Sequence, residues 1–253
     1  MKLSTRMVVL RRNFDTDAQA YITAVETADG AALEGGVKTA INNFVVGCKA
    51  DGIWSAIKAS CILAGARTLT GALVPLVGTA PTNFNFVSGD YNRKTGLVGN
   101  GFSKYLDSNR ANNADPQNRK HLSCFTTVTS TGVRSYVAGG IDSWIARDEG
   151  NFYFRANQAT SLIPEVANSV IGFFGISRSG SAIFVVRFNS TNILSSISSV
   201  SPAIGNIDIL RKANGTQFAS DRIAFYSIGE SLDLALLDAR VTALINAYST
   251  AIV

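Results

Sequence analysis

The feature that most constrains the fold is the pattern of residues 68–229, where short apolar runs alternate with turn residues. The runs are rich in Val, Ile, Phe, Tyr, Ser and Thr, which favour strands. Gly, Asn and Asp between the runs favour tight turns. Because no long helical pattern separates the runs, they are expected to pair antiparallel in a jelly-roll β-sandwich. The best strand candidates are residues 122–128, 134–138, 152–155, 169–177, 181–188 and 222–228.

Turn signals separate these strands at residues 130–132, 139–140, 149–151, 178–180 and 214–215. The clearest hairpin joins residues 171–177 to residues 182–188 around Ser179-Gly180. The sequence therefore predicts a mainly β domain over residues 67–253. A C-terminal helix closes this domain, because Ser231 and Asp233 can cap a run with an apolar stripe at helical spacing.

Residues 1–66 have a different pattern, which predicts three short amphipathic helices. The first follows capping oxygens at residues 15–17 and ends at Asp29-Gly30, and the second ends at Asp51-Gly52. A third is predicted from Ile53 to about Gly65, with Trp54 in a packing role. Such short helices bury little surface alone, so we expect a docking segment that packs on the following domain or on another subunit.

The composition favours an assembled protein. Charged residues make up 16% of the chain and apolar residues 46%, whereas soluble domains carry roughly 25% charge. A surface with so little charge invites association, so oligomerisation is expected, with a homotrimer as the specific prediction. The net charge of +5 does not predict nucleic-acid binding, because the 23 Lys and Arg residues are scattered along the sequence.

No targeting, metal or cofactor signal stands out. The apolar stretch at residues 7–10 is too short for a signal peptide, and prolines, glycines and charges interrupt residues 53–89, so we expect neither Sec export nor a membrane span. Cys48, Cys61 and Cys124 lack metal-ligand spacing and are interpreted as buried apolar residues. The two Ala-Asp-Gly segments lack the ligands of a calcium loop, although a calcium ion within the sandwich stays open.

Two stretches resemble concanavalin A-like, laminin-G-like jelly rolls. Residues 221–240 (DRIAFYSIGESLDLALLDAR) have the order of a final strand, Gly-Glu-Ser and a short helix that closes such domains. Residues 96–110 (GLVGNGFSKYLDSNR) resemble their first motif, in which a Gly-rich turn leads into a strand with an aromatic residue and a leucine. The resemblance implies a lectin-like sandwich between these two motifs.

A second resemblance covers residues 20–110 and is similar to a block in structural or tail-fibre-type proteins of tailed phages. It is carried by residues 28–34, 46–54, 58–69, 71–76 and 90–97. The resemblance implies a virion protein, assembled in the host cytoplasm with other virion proteins. Its expected role is a tail-fibre or receptor-binding component that attaches to host-surface carbohydrate. A capsid decoration or head-fibre protein is the alternative within this class.

A polysaccharide-degrading enzyme is the alternative of another class, because concanavalin A-like folds also host glycosidases. Such an enzyme needs two carboxylates at a defined separation. The sandwich region lacks the Glu-x-Asp-x-Glu spacing of the retaining family members, and Asp148 and Glu149 are adjacent, so they would point to opposite faces of a strand. His121 is interpreted as a strand-edge residue at the start of a strand. We therefore expect no catalytic residues.

Sugar binding needs only an aromatic platform beside polar loops. Trp144 lies near Asp142 and Arg147 in sequence and is a candidate to stack on a glycan ring, although capping of the core is the alternative. Tyr136 is a second candidate platform. Asn112 and Asn113 belong to a polar loop, residues 108–120, that is long enough to be an exposed functional loop or a subunit contact.

Overall fold

The computed structural model describes residues 14–130, 134–148, 151–164 and 171–252. Two antiparallel sheets form a jelly-roll-like sandwich, as predicted. Sheet A contains β1 (Ile57–Ile62), β3 (Tyr91–Asn92), β4 (Gly96–Val98), β6 (Lys120–Val128), β10 (Gly172–Arg178), β11 (Ile183–Phe188), β12 (Thr191–Ser196) and β14 (Arg222–Gly229). Sheet B contains β2 (Thr82–Phe84), β5 (Tyr105–Ala111), β7 (Arg134–Ala138), β8 (Trp144–Asp148), β9 (Asn151–Arg155) and β13 (Asn206–Ile209).

The strand order shows how distant parts of the chain meet. Sheet A runs β12-β11-β10-β6-β14-β4-β3, and β1 pairs with β14 beside this path. Sheet B runs β2-β5-β13-β7-β8-β9. The hairpin predicted around Ser179-Gly180 is confirmed as β10 and β11. The predicted turns at 130–132 and 149–151, and the first residues of the strand predicted at 169–177, fall partly outside the described residues.

Alternate residues of the central strands enter two different cores. In β6, Leu122 and Cys124 face the space between the sheets, whereas Phe125 faces the helices. In β14, Tyr226 lies between the sheets and Phe225 lies under the helices. Sheet A is therefore buried on both faces, because side chains alternate across a strand. The three cysteines are free and buried, which confirms their interpretation as small apolar residues.

The described residues form four α-helices: α1 (Thr16–Asp29), α2 (Gly35–Ala50), α3 (Leu69–Ala72) and α4 (Leu234–Ala251). Short 3₁₀ turns occupy Trp54–Ala56 and Ser88–Asp90. The predicted caps are present: Asp15 accepts from the Asp17 N–H, Asp233 accepts from the Ala235 N–H, and Gly30 ends α1 in the left-handed conformation. None of the described helices is long and apolar enough to cross a membrane.

The helices cover one face of sheet A. The apolar sides of α1, α2 and α4 share a core with residues of β6, β10 and β14. The Phe44 ring of α2 meets the Phe225 ring of β14 edge-on, with centroids 5.8 Å apart. Of the two expectations for the N-terminal segment, packing on its own chain is therefore the one observed.

The predicted third helix is wrong, because residues 57–62 form β1 and pair antiparallel with β14. Both faces of this strand are buried: Ile57 and Ile62 contact the helix core, and Ala59 and Cys61 contact the core between the sheets. A strand buried on both faces has a nearly continuous apolar sequence, and apolar spacing alone does not distinguish such a strand from a buried helix.

The two motifs that resemble laminin-G-like domains are neighbours in sheet A. β4, from the first motif, pairs with β14, from the second, and places Leu97 opposite Ile223. At Gly96 the backbone has a φ of 98°, and an added Cβ would lie 2.0 Å from the Ile223 carbonyl oxygen. Only glycine fits this close approach of two strands.

Candidate glycan-binding face

The outer face of sheet B, on the side away from sheet A, carries an aromatic and cationic surface. In β8 and β9, Ile145, Phe152 and Phe154 point inward to the core. Trp144 and Arg155 therefore lie on the outer face, because neighbouring residues of a strand point to opposite sides. They are directly opposed in the antiparallel register. The Arg155 guanidinium carbon lies 4.2 Å from the centroid of the Trp144 ring.

Lys212 brings a second cation to the same ring. Its Nζ lies 4.3 Å from the Trp144 ring centroid. A tight turn holds this residue, since the Lys212 N–H donates to the Thr216 carbonyl at 3.1 Å and the Gly215 N–H donates to the Lys212 carbonyl at 2.9 Å. This is the turn that the pair Asn214-Gly215 predicted. We call Trp144, Arg155 and Lys212 the Trp144 site.

The two cations of the Trp144 site are partly dehydrated. Arg155 donates to the Ser161 hydroxyl at 2.8 Å and to the Ile141 carbonyl at 2.5 Å, and neither acceptor is a carboxylate. Burial lowers the pKa of Arg155 from its usual value. Burial also lowers the pKa of Lys212, and the nearby Arg155 charge lowers it further. Both effects disfavour the charged forms, so a nearby anion would be stabilised here.

A small cavity adjoins this site. Trp144, Ala146, Arg147, Asp148, Tyr153 and Gln217 line it, and its volume is about 120 Å³. The indole Nε1–H of Trp144 is buried and has no acceptor among the residues that the structure describes. A hydrogen-bond donor without an acceptor costs free energy, so the indole has an unused capacity to donate.

A second aromatic cluster lies on the same face. The rings of Phe84 and Tyr105 stack with centroids 4.3 Å apart, and the Phe218 ring meets Tyr105 edge-on. The Arg211 guanidinium carbon lies 3.4 Å from the Tyr105 centroid. Arg211 differs from the cations of the Trp144 site, because it forms an ion pair with Asp208 at 2.6 Å.

The structure brings only part of the predicted glycan site to the surface. Trp144 is half-buried and Asn113 is exposed. Tyr136 is fully buried in a ring cluster with Phe152 and Phe174, so it is no platform for a sugar. The remaining three predicted residues are also buried: Asn112, Asp142 and Arg147. These four side chains thus lie in the interior, although Arg147 also lines the cavity beside Trp144, and their contact with a glycan stays a prediction.

The physical reason is a buried lysine. The Lys120 ammonium is fully enclosed and donates to the Asn112 carbonyl at 2.6 Å and to the Asn157 side chain at 3.3 Å. The Asn112 amide in turn donates to the Asp142 carboxylate at 3.0 Å. Burial lowers the pKa of Lys120 to about 8, against the opposing effect of Asp142. The predicted loop thus turns inward at Asn112, since a buried ammonium needs these acceptors.

Arg155 and Lys212 are the residues that the sequence interpretation missed. Arg155 was detectable, because a hairpin of β8 and β9 places it opposite Trp144. Residues 144–148 were not predicted to form a strand, so the pairing of β8 with β9 that places Arg155 opposite Trp144 could not be predicted either. No sequence signal indicated Lys212, which reaches Trp144 from the loop after β13.

His121 is a buried structural residue and not a strand-edge residue as predicted. It does lie at the start of β6, but this strand is central, between β10 and β14. Its Nδ1 lies 2.6 Å from the Glu230 carbonyl and its Nε2 lies 2.7 Å from the Ser227 hydroxyl. Because a carbonyl only accepts, Nδ1 carries the proton and the Ser227 hydroxyl donates to Nε2. Burial lowers the His121 pKa to about 4.

The sequence interpretation also missed a pair of facing carboxylates. Asp107 of β5 and Asp208 of β13 are directly opposed across the outer face of sheet B. Burial raises the pKa of Asp208 to about 6, and the neighbouring Asp107 contributes. Asp208 also holds Arg211, and the Asn206 amide donates to Asp107 at 3.1 Å. Asp148 lies on β8, and Glu149 lies outside the described residues.

Comparison with solved structures gives distant neighbours of this fold. A Trypanosoma rangeli sialidase in complex with 2,3-difluorosialic acid aligns with a TM-score of 0.50 at 8% identity, covering 90% of this chain and 38% of that one. The botulinum neurotoxin serotype D binding domain aligns with a TM-score of 0.48 at 11% identity, covering 74% of this chain and 50% of that one. The binding domain of botulinum neurotoxin DC in complex with rat synaptotagmin II aligns with a TM-score of 0.45 at 10% identity.

These likenesses concern the fold alone. The chain spans about half the length of the neurotoxin binding-domain structures that it matches, 50% for serotype D and 52% for DC. No protein-family model and no curated protein matches the sequence. The function must therefore be argued from the outer face of sheet B.

Proposed function

We propose that this protein is a non-enzymatic attachment protein that binds host-surface glycan through the outer face of sheet B. The single observation that carries the proposal is the Trp144 site, where a half-buried indole shares one surface with two cations that have no carboxylate partner among the described residues. Sugar binding by proteins combines an aromatic ring with polar groups that fix orientation. Asn113 is exposed in the loop before β6, and its contact with a glycan stays a prediction.

We further propose that the protein works within a phage particle, as a tail-fibre or receptor-binding component. The resemblance of residues 20–110 to tail-fibre-type proteins supports this placement. The helices leave the outer face of sheet B available, because they pack on the opposite sheet. One layer of the molecule thus serves stability and attachment to the particle, and the other serves the ligand.

A homotrimer is the proposed oligomeric state. The edge strand β12 and its neighbour β11 expose apolar side chains, with Leu194 72% and Ile183 54% exposed. An edge strand with exposed apolar residues is a surface that other chains cover. Analytical ultracentrifugation of the purified chain tests the trimer, and a monomer at micromolar concentration contradicts it.

The attachment proposal is tested with purified protein on glycan arrays and host cells. Binding that is lost in Trp144→Ala and kept in Trp54→Phe supports it. If neither array nor cells bind the protein while empty capsids do, the capsid decoration or head-fibre alternative replaces it. The position and copy number of the chain in an imaged virion decide between the two placements.

A polysaccharide-degrading enzyme is kept as a second candidate because of Asp107 and Asp208. Opposed residues on antiparallel strands have Cβ atoms about 5 Å apart, a separation that suits the two carboxylates of a retaining glycosidase. The Arg211 ion pair argues against this role, because it occupies Asp208. Release of reducing ends from a host glycan, lost in Asp208→Asn, would establish the enzyme.

A further inference from the structure

We propose that the Trp144 site selects a negatively charged sugar, whose carboxylate or sulfate group lies between Arg155 and Lys212 beside the indole ring. This inference rests on the proposed function and narrows its ligand class. A neutral glycan would satisfy the attachment proposal equally well. The charge of the ligand is therefore a separate claim with its own test.

The first argument is the pairing of the cations in this protein. Two arginines elsewhere on the sandwich have carboxylate partners: Arg211 pairs with Asp208 at 2.6 Å, and Arg187 pairs with Asp238 at 2.9 Å. Arg155 and Lys212 form no ion pair with any described residue, although each lies within 4.3 Å of the same ring centroid. Two unpaired cations at one ring form a local concentration of positive charge that favours an anion.

The second argument is that the fold holds both cations in place. Arg155 is fixed by its cross-strand position, by the Ser161 hydroxyl and by the Ile141 carbonyl. For Lys212, the turn with Gly215 and Thr216 fixes the backbone, and the ammonium is positioned by its contact with the Trp144 ring. No hydrogen bond from the Lys212 ammonium to a described residue is present, so its donors remain for a ligand. Preorganised donors lose little entropy on binding, which favours affinity.

The third argument comes from the acidic groups around the site. Asp142 acts electrostatically on Arg155, but it is buried and its carboxylate accepts from Asn112 and Ser143. Asp148 lines the adjoining cavity. It is four residues further along β8 than Trp144, which places its backbone roughly 13 Å away in an extended strand. Asp142 therefore offsets part of the Arg155 charge, and neither carboxylate forms an ion pair with Arg155 or Lys212 among the described residues.

The ring also explains why a sugar is preferred to a simple anion. A carboxylate or sulfate would meet the two cations that lie over the indole ring, and the apolar face of the sugar ring would lie against the cavity beside that ring. Tyr153 and Gln217, which line this cavity, supply polar groups for the hydroxyls. Inorganic anions have no such apolar face and are expected to bind more weakly.

The test uses the fluorescence of Trp144. The chain has 2 tryptophans, so the variant Trp54→Phe leaves Trp144 as the reporter. In this background, titrations compare a glucuronate-containing oligosaccharide, a sulfated oligosaccharide, the matched neutral glucose oligosaccharide and a single-stranded oligonucleotide of equal charge. Lys212→Met and Arg155→Gln remove one cation each. Lys94→Met is the matched control, an exposed lysine without an ion pair in the turn between β3 and β4.

We expect at least one acidic oligosaccharide to bind at least tenfold more tightly than the neutral one. Lys212→Met and Arg155→Gln should each reduce that affinity by tenfold or more, while Lys94→Met leaves it unchanged. Circular dichroism confirms that each variant is folded, and Lys212→Met changes only the end of a partly exposed side chain.

The outcomes separate the two proposals. Equal binding of acidic and neutral sugars, lost in Trp144→Ala, overturns the charge inference and leaves the attachment proposal standing. Acidic binding that survives both cation variants also overturns the inference. Oligonucleotide binding as tight as the acidic sugar assigns the site to nucleic acid and overturns both. Absence of all binding, on the arrays as well, counts against both proposals.

Discussion

The two sheets of the sandwich differ in what covers their outer faces. Sheet A packs against α1, α2 and α4, and its central strands β6 and β14 are buried on both sides. The outer face of sheet B has no such cover from the described helices and carries aromatic rings with cations over them. The centre of sheet A therefore resembles an ordinary protein interior. Sheet B carries two partly buried cations and a buried indole N–H without an acceptor among the described residues, and each of these has a free-energy cost when no ligand is bound. This contrast supports the proposal that sheet A serves stability and sheet B serves recognition.

The largest expected effect is on stability, from the variant Phe225→Ala. Phe225 is fully buried between sheet A and α2, so its truncation leaves a cavity and should cost about 4 kcal/mol. A loss of this size lowers Tm by roughly 10 °C in a chain of this length. The matched variant Tyr105→Ala removes a ring from the outer face of sheet B and should cost less than half as much. Equal losses in chemical denaturation would break the contrast between the sheets.

The next effect is the acid sensitivity of sheet A through His121. Its pKa is about 4 when folded, below its value of 6.5 when exposed, so the unfolded chain binds the proton more readily. The stability contribution of the neutral imidazole is thus complete above pH 6.5 and is lost as the pH falls from 6.5 through 4. The loss should reach about 3 kcal/mol.

The measurement is the free energy of unfolding from pH 7.5 to 4 for the wild type and His121→Gln. Glutamine has both a donor and an acceptor, but it does not titrate. The variant should lack the part of the pH dependence that His121 contributes. Parallel curves would show that other groups, such as the carboxylates of sheet B, cause the acid sensitivity.

A third prediction separates binding from stability at Trp144. Trp144→Ala should weaken glycan binding by about 2 kcal/mol, roughly 30-fold, as expected for an aromatic anchor. Its free energy of unfolding should change by less than that of Phe225→Ala, because the ring is half-buried on the outer face. Phe225→Ala, below its Tm, should bind normally. A glycan affinity reduced equally by both variants would contradict the division of roles.

The smallest expected effect concerns the ion pair that joins α2 to α4. Arg240 donates to Asp51 at 2.7 Å and 2.9 Å near the surface of the helical layer. Arg240→Met should cost less than about 1 kcal/mol, since pairs near the surface contribute little. A larger loss in thermal denaturation would show that charge, and not only apolar contact, holds the helices on sheet A.

The sequence predicted the elements whose local pattern agrees with their final position. All six strand candidates correspond to observed strands, α1 begins and ends close to its predicted caps, α2 ends at the predicted Asp51-Gly52, and α4 begins after the predicted cap Asp233. Strands β8, β12 and β13 were not predicted, because charged or polar residues interrupt their apolar pattern, as Arg147 and Asp148 do in β8. In these strands, tertiary contacts decide the structure.

The candidate site was predictable only in part, for a geometric reason. Trp144 could be chosen as an aromatic residue between turn signals. Tyr136 and Asp142 are residue types that often bind sugars, so their sequence gives no sign that they are buried. Tyr136 is buried because it lies on the inward side of β7, and Asp142 is buried beside the Lys120 network. Arg155 and Lys212 come from separate segments, so their meeting depends on register and loop shape.

The pairing of β1 with β14 has a consequence for how the chain folds. Residues 57–62 find their partner at residues 222–229, so this part of sheet A forms only after residues 222–229 have been synthesised. Folds dominated by such distant contacts reach the native state slowly, because a long loop must close first. During synthesis on the ribosome, the apolar sides of α1 and α2 stay exposed until the strands of sheet A and α4 have been made. Until then they are targets for aggregation, so high-yield production should depend on slow synthesis or on chaperones.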